Sequence, residues 1–176
     1  MKRIKEWGIF ESSESKKIPH FVKMIASEIE CFSGNGCGLH SLKGIEFPED
    51  KVFTLYLTDN KLSTLDGSPE KAYSVFVSRN KLTTLKGGPK QLIEVNSASN
   101  SFRCDNNLLI SLEGAPEIVN GDFSAANNRL INLKGGPRIV GGDFDVHANP
   151  LWSLEGAPEQ IQGRFKCKWF SIPEGR

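Results

Sequence analysis

The sequence predicts a repeat solenoid. About seven coils stack into a curved parallel β-sheet, with an extended, turn-rich convex side and an N-terminal helical cap. Three observations predict it. An apolar anchor is followed seven positions later by Leu or Ile, at Phe32, Leu55, Val75, Phe102, Phe123, Phe144 and Phe165. Five positions after the anchor stands Asn, at Asn60, Asn80, Asn107, Asn128 and Asn149, with Cys37 and Phe170 in the terminal copies. The first six copies then close on Leu, Gly and Pro, as at Leu133, Gly135 and Pro137.

Each column has a physical role. The anchor and the residue two beyond it share one strand face, because strand side chains alternate, and both are apolar, so that face is buried. Asn suits the turn after the strand, where its amide can bond the backbone of a neighbouring coil. Gly permits positive φ at the next corner, and Pro stops strand pairing there. One coil cannot bury its own apolar face, but a stack of coils can. The anchors recur mostly every 20 to 23 residues, and 27 separate Val75 from Phe102.

The remaining segments are assigned in chain order. Residues 1–31 form an N-terminal segment and residues 32–176 the solenoid. Residues 1–17 read as a basic opening and a polar linker, without the apolar run of a secretory signal. Residues 18–30, IPHFVKMIASEIE, place Ile18, Phe21, Val22, Ile25 and Ile29 on one helical stripe after Pro19, which predicts a capping helix. The long unit contains KQLIEVNSASNS, 90–101, read as an exposed loop that is either a tolerated insertion or a binding element. The last strand carries Arg164, Lys166 and Lys168, charges that protect an open edge or contact a partner or a second copy.

The consensus is plainest in LYLTDNKLSTLDGSP, 55–69. It resembles the leucine-rich repeat in the short form of bacterial type III secreted effectors. The wording LEGAP and GGDF is further similar to leucine-rich-repeat proteins of tailed bacteriophages. The resemblance spans residues 32 to 172 and implies a scaffold whose concave sheet face contacts a protein. A phage origin implies a host protein as partner, in the host cytoplasm. The opening also resembles short leaders of phage proteins, and IFE is similar to the site cut by prohead proteases. These imply an alternative, a structural or packaged virion component.

Positions one before, one after and three after the anchor point outward and carry the candidate site. Tyr56 and Phe76 are neighbouring aromatics with Arg79 nearby, a hot spot for a protein partner or simply a stabilising cross-strand pair. The fourth coil adds Arg103 and Asp105, and the sixth adds Asp143, Asp145 and His147. Asp143 and Asp145 adjoin Arg164 and Lys166 of the last coil, as surface ion pairs or as a bipolar surface that steers a charged partner. Trp152 falls outside the columns and reads as a surface or packing residue.

Other function classes find little support. The net charge of +1 gives no global attraction to nucleic acid or anionic lipid, so neither is an expected partner. No window approaches 18 apolar residues. Four scattered cysteines and three histidines indicate no zinc cluster and no disulfide framework, so the thiols read as reduced and packed. GNGCG, 34–38, lacks the Lys of a phosphate loop and falls on strand and turn. Cys31 and His40 are each explained by the coil. The expectation is therefore a non-catalytic module without a cofactor, and the phage resemblance implies that it binds and modulates or inhibits a host defence protein. Self-association through the open C-terminal coil is the other expected contact.

Overall fold

A computed structural model describes residues 21–25, 29–94 and 100–168. The leader-like opening, residues 95–99 of the 90–101 insertion and Phe170 lie outside these residues. The strands are β1 (Phe21–Ile25), β2 (Ile29–Ser33), β3 (Val52–Tyr56), β4 (Lys71–Phe76), β5 (Gln91–Leu92) and β6 (Phe102–Arg103). They continue with β7 (Ile118–Val119), β8 (Phe123–Ser124), β9 (Ile139–Val140), β10 (Phe144–Asp145), β11 (Gln160–Ile161) and β12 (Phe165–Lys166). The main sheet runs β1-β2-β3-β4-β6-β8-β10-β12, parallel except where β1 meets β2. Strands β7, β9 and β11 form a second parallel sheet, and β5 pairs with the start of β4.

The anchors set the register. Phe32 faces Leu55, Leu55 faces Val75, and Val75 faces Phe102. Phe102, Phe123, Phe144 and Phe165 then face one another in sequence. Six turns therefore separate seven parallel strands, and the rest of the seventh coil expected from the sequence falls outside the described residues. Inside the stack the phenyl rings form a ladder with centroids 5.7, 5.5 and 5.4 Å apart. Leu57, Val77, Cys104, Ala125 and Val146, two beyond each anchor, are fully buried. Burial pushes the Cys104 thiol well above its ordinary pKa.

The Asn column joins the coils. The Asn128 amide donates to Cys104 O of the preceding coil and to Ala125 O of its own, both at 3.1 Å, and its Oδ1 accepts Leu109 N–H at 3.0 Å. Asn60, Asn80, Asn107 and Asn149 repeat this pattern. The residue before each Asn has positive φ: Asp59, Arg79, Asn106, Asn127 and Ala148. At the second corner, the Leu C=O accepts the N–H three residues on, with Gly in between at φ 77 to 96, the pattern of a type II turn. Gly114 has a steric reason as well, since a Cβ there would lie 2.4 Å from Lys86 N.

Two further columns complete the coil. Ser41, Thr64, Thr84, Ser111, Asn132 and Ser153 each accept the N–H two residues on, capping the approach to the corner. Three residues after Pro stand Ala72, Val119 and Val140, fully buried, with Leu92 and Ile161 packed against the same core.

The expected helix over 18–30 is replaced, in its described part, by β1 and the start of β2. These strands pair antiparallel from Phe21–Ser33 to Ile25–Ile29. Strand pairing satisfies the backbone groups at the first coil's edge, which a helix laid over it cannot do, and Phe, Val and Ile favour strands. The boundary placed between residues 31 and 32 falls inside β2. No described helix is long and apolar enough to cross a membrane.

Candidate functional site

The outward face of the main sheet positions the candidate residues through the same register. Tyr56 lies opposite Phe76, and Phe76 opposite Arg103. Arg103 lies opposite Ser124, and Asp145 pairs with Ser124 and Lys166. The Tyr56 and Phe76 rings stack at 5.1 Å and 7°, half-buried. Burial raises the Tyr56 phenol above its usual pKa. Thr54 and Ser74, also expected outward, are buried. Ser74 Oγ accepts Ser101 N–H at 3.0 Å where the long unit re-enters the sheet.

Beyond the aromatic pair the face dips into an open cavity of about 410 Å³. Six candidate residues line it: Phe76, Arg79, Arg103, Asp105, Asp145 and His147. Arg79 forks onto Asp59, with Nη2 2.7 Å from Oδ2, and this pairing lowers the Asp59 pKa and raises that of Arg79. Arg103 Nη2 reaches Asp122 Oδ2 at 3.2 Å. Asp105 accepts from Ser124 Oγ, from Ser78 Oγ at 3.1 Å and from Ala126 N–H at 3.1 Å, so its carboxylate is fixed from three sides. His147 Nδ1 lies 2.6 Å from Asp145 Oδ1, which also accepts the His147 N–H at 3.1 Å. Most of the walls are thus held by cross-coil bonds, with the Asp145–His147 contact inside one coil.

The other candidates gather at the C-terminal end of the sheet. Asp143 accepts Arg164 N–H at 2.8 Å and meets Arg164 Nη2 at 2.9 Å and Lys166 Nζ at 2.8 Å. These contacts, the backbone bond first, hold its carboxyl well below the usual range. The expected ion pairs between the last two coils are therefore formed. Lys168 closes the described chain, exposed. Asp59 was missed by the sequence reasoning because the left-handed turn, not the strand alternation, brings it to the face. Its signal is its place directly before the column Asn.

The face is polar and charge-paired around one aromatic platform. Among the described residues no three His, Cys, Asp or Glu gather in a metal-binding group. Comparison of the chain with models of known protein families, with curated proteins and with solved structures returns no match.

Proposed function

We propose that this chain is a non-catalytic binding module of leucine-rich-repeat type. It captures a protein partner on the outward face of its main sheet. One observation carries the reading: the stacked Tyr56–Phe76 pair borders a cavity lined by six outward residues from different coils. The columns that build the scaffold do not dictate those residues, so their identity is free to serve a partner. An aromatic platform beside two arginines has the composition of a protein-binding hot spot. The phage-like wording of LEGAP and GGDF favours a host protein as partner and inhibition or modulation as the outcome.

Affinity capture from bacterial lysate with wild type and with Tyr56→Ala/Phe76→Ala tests the reading. Wild type is expected to recover a protein that the double variant loses. Equal recovery by both shows that binding, if any, lies elsewhere.

A further inference from the structure

A second surface lies on the flank of the solenoid, past the Asn turn. Ile110, Ile131 and Trp152 occupy the same position in three consecutive coils and are 64%, 52% and 77% exposed. Trp152 N–H bonds to Ile131 O at 2.9 Å, which stacks these positions directly. Equivalent positions in the earlier coils are polar: His40, Ser63 and Thr83. The apolar ridge is therefore a property of coils four to six and is not needed by the repeat.

The charges on this flank are also unlike those elsewhere. On other faces cations meet acids of a neighbouring coil, as in Lys86–Glu113, Lys134–Glu155 and Arg138–Glu117. Lys61, Lys81 and Arg129, one residue after the column Asn, are exposed and form no ion pair among the described residues. The three solvent-facing columns of this flank, one, three and four residues after the Asn column, hold no Asp or Glu in any of six coils. The flank is thus a track about 20 Å long at the usual strand spacing, cationic at Lys61 and Lys81 in coils two and three and apolar over coils four to six, with Arg129 beside the ridge.

We infer that this flank is a second docking surface, for an acidic polypeptide segment with apolar anchors. Its carboxylates lie over Lys61 and Lys81, and its aromatic or aliphatic side chains lie on Ile110, Ile131 and Trp152. A second copy of this chain is a poor occupant, because the flank has no carboxylate to offer the cations and a two-fold pairing sets Arg129 against Arg129. Two of the three cations lie off one end of the ridge, and that polarity suits a directional chain better than the uniform plane of a bilayer. The surface is distinct from the Tyr56–Phe76 face and does not depend on its role.

A displayed random-peptide library, selected on the full chain in low-salt buffer, tests the inference. Selected peptides are expected to pair an acidic cluster with apolar residues. A synthetic peptide of the selected sequence is expected to bind Trp152→Asp/Ile131→Asp at least about tenfold more weakly. The same peptide is expected to bind Tyr56→Ala/Phe76→Ala as it binds wild type. Repeating the selection on Lys61→Glu/Lys81→Glu is expected to yield basic peptides in place of acidic ones. All substituted positions on the flank are exposed, and thermal midpoints matching wild type show that the variants fold. The inference is overturned by an empty selection, by peptides without acidic enrichment, or by binding indifferent to Trp152. Trp152-dependent binding to phosphatidylserine vesicles with no peptide enriched overturns it as well, in favour of a membrane.

Discussion

Single residues decide how tightly the coils are joined. The five Asn amides satisfy backbone groups that the turn takes out of the sheet, and they are buried. Asn128→Ala strands the Leu109 N–H and removes one of the two amide donors to each of Cys104 O and Ala125 O, which Asn107 and Asn149 still bond. An unmet buried group costs about 1–3 kcal/mol, so we expect a loss of about 1–3 kcal/mol, read by urea unfolding. Ala148 presents the opposite case, an exposed Cβ held at φ 55. Ala148→Gly removes that strain, and a gain of about 1 kcal/mol, or roughly 2–4 °C in Tm, is the expected result by calorimetry. Asp143 links the last two coils to pH. Its folded-state pKa is depressed, so its contribution is present above its ordinary value of about 4 and is lost as pH falls below it. Asp143→Asn is expected to flatten the acid limb of the stability profile below about pH 4, and an unchanged limb in acid titration contradicts this.

At the scale of elements, the anchor register carries the core. Phe123 stacks between Phe102 and Phe144 with no exposure. Phe123→Ala opens a cavity in mid-stack and is expected to cost about 3–5 kcal/mol by denaturant titration. The corner ion pairs act differently. Exposed pairs are worth at most about 1 kcal/mol, so Lys134→Glu beside Glu155 is expected to cost less than that, with the loss shrinking in high salt. Most of each coil was legible because the anchor, Asn, Leu and Gly columns obey fixed counts. The buried column at Ala72, Val119 and Val140 was not, since its distance to the anchor that follows it changes, from three residues at Ala72 to four at Val119 and ten at Leu92. Counted from Pro, or from the anchor of its own coil, it is constant over coils two to six. The hydroxyl column escaped because Ser and Thr look like surface filler until their backbone bonds are drawn. The hairpin was misread as a helix because residues 18–30 satisfy a helical stripe, while the open edge of a sheet, which selects strand pairing, is invisible to periodicity. Alternation brings Tyr56, Phe76 and Arg103 to the outward face but not Thr54, Ser74 and Ala126, which are buried, and the left-handed turns, not alternation, bring Arg79 and Asp59 there.

For the whole molecule, cohesion passes only between neighbouring coils. Amide exchange is therefore expected to be slowest at Phe102, Phe123 and Phe144 and faster toward β2 and β12. A uniform profile would point to all-or-none opening instead. The in-register ladder has a further consequence at the level of the gene. Residues 121–141 and 142–162 present inner residues of the same kind at the same heights, Phe above Phe and Asn above Asn, with Val146 matching Ala125 and Ile161 matching Val140. An in-frame loss or duplication of that stretch by unequal recombination leaves every remaining interior contact with a counterpart of its own kind. Length is therefore a heritable variable that this lineage can change in single steps, and each step alters how many outward residues are displayed without redesigning the inside.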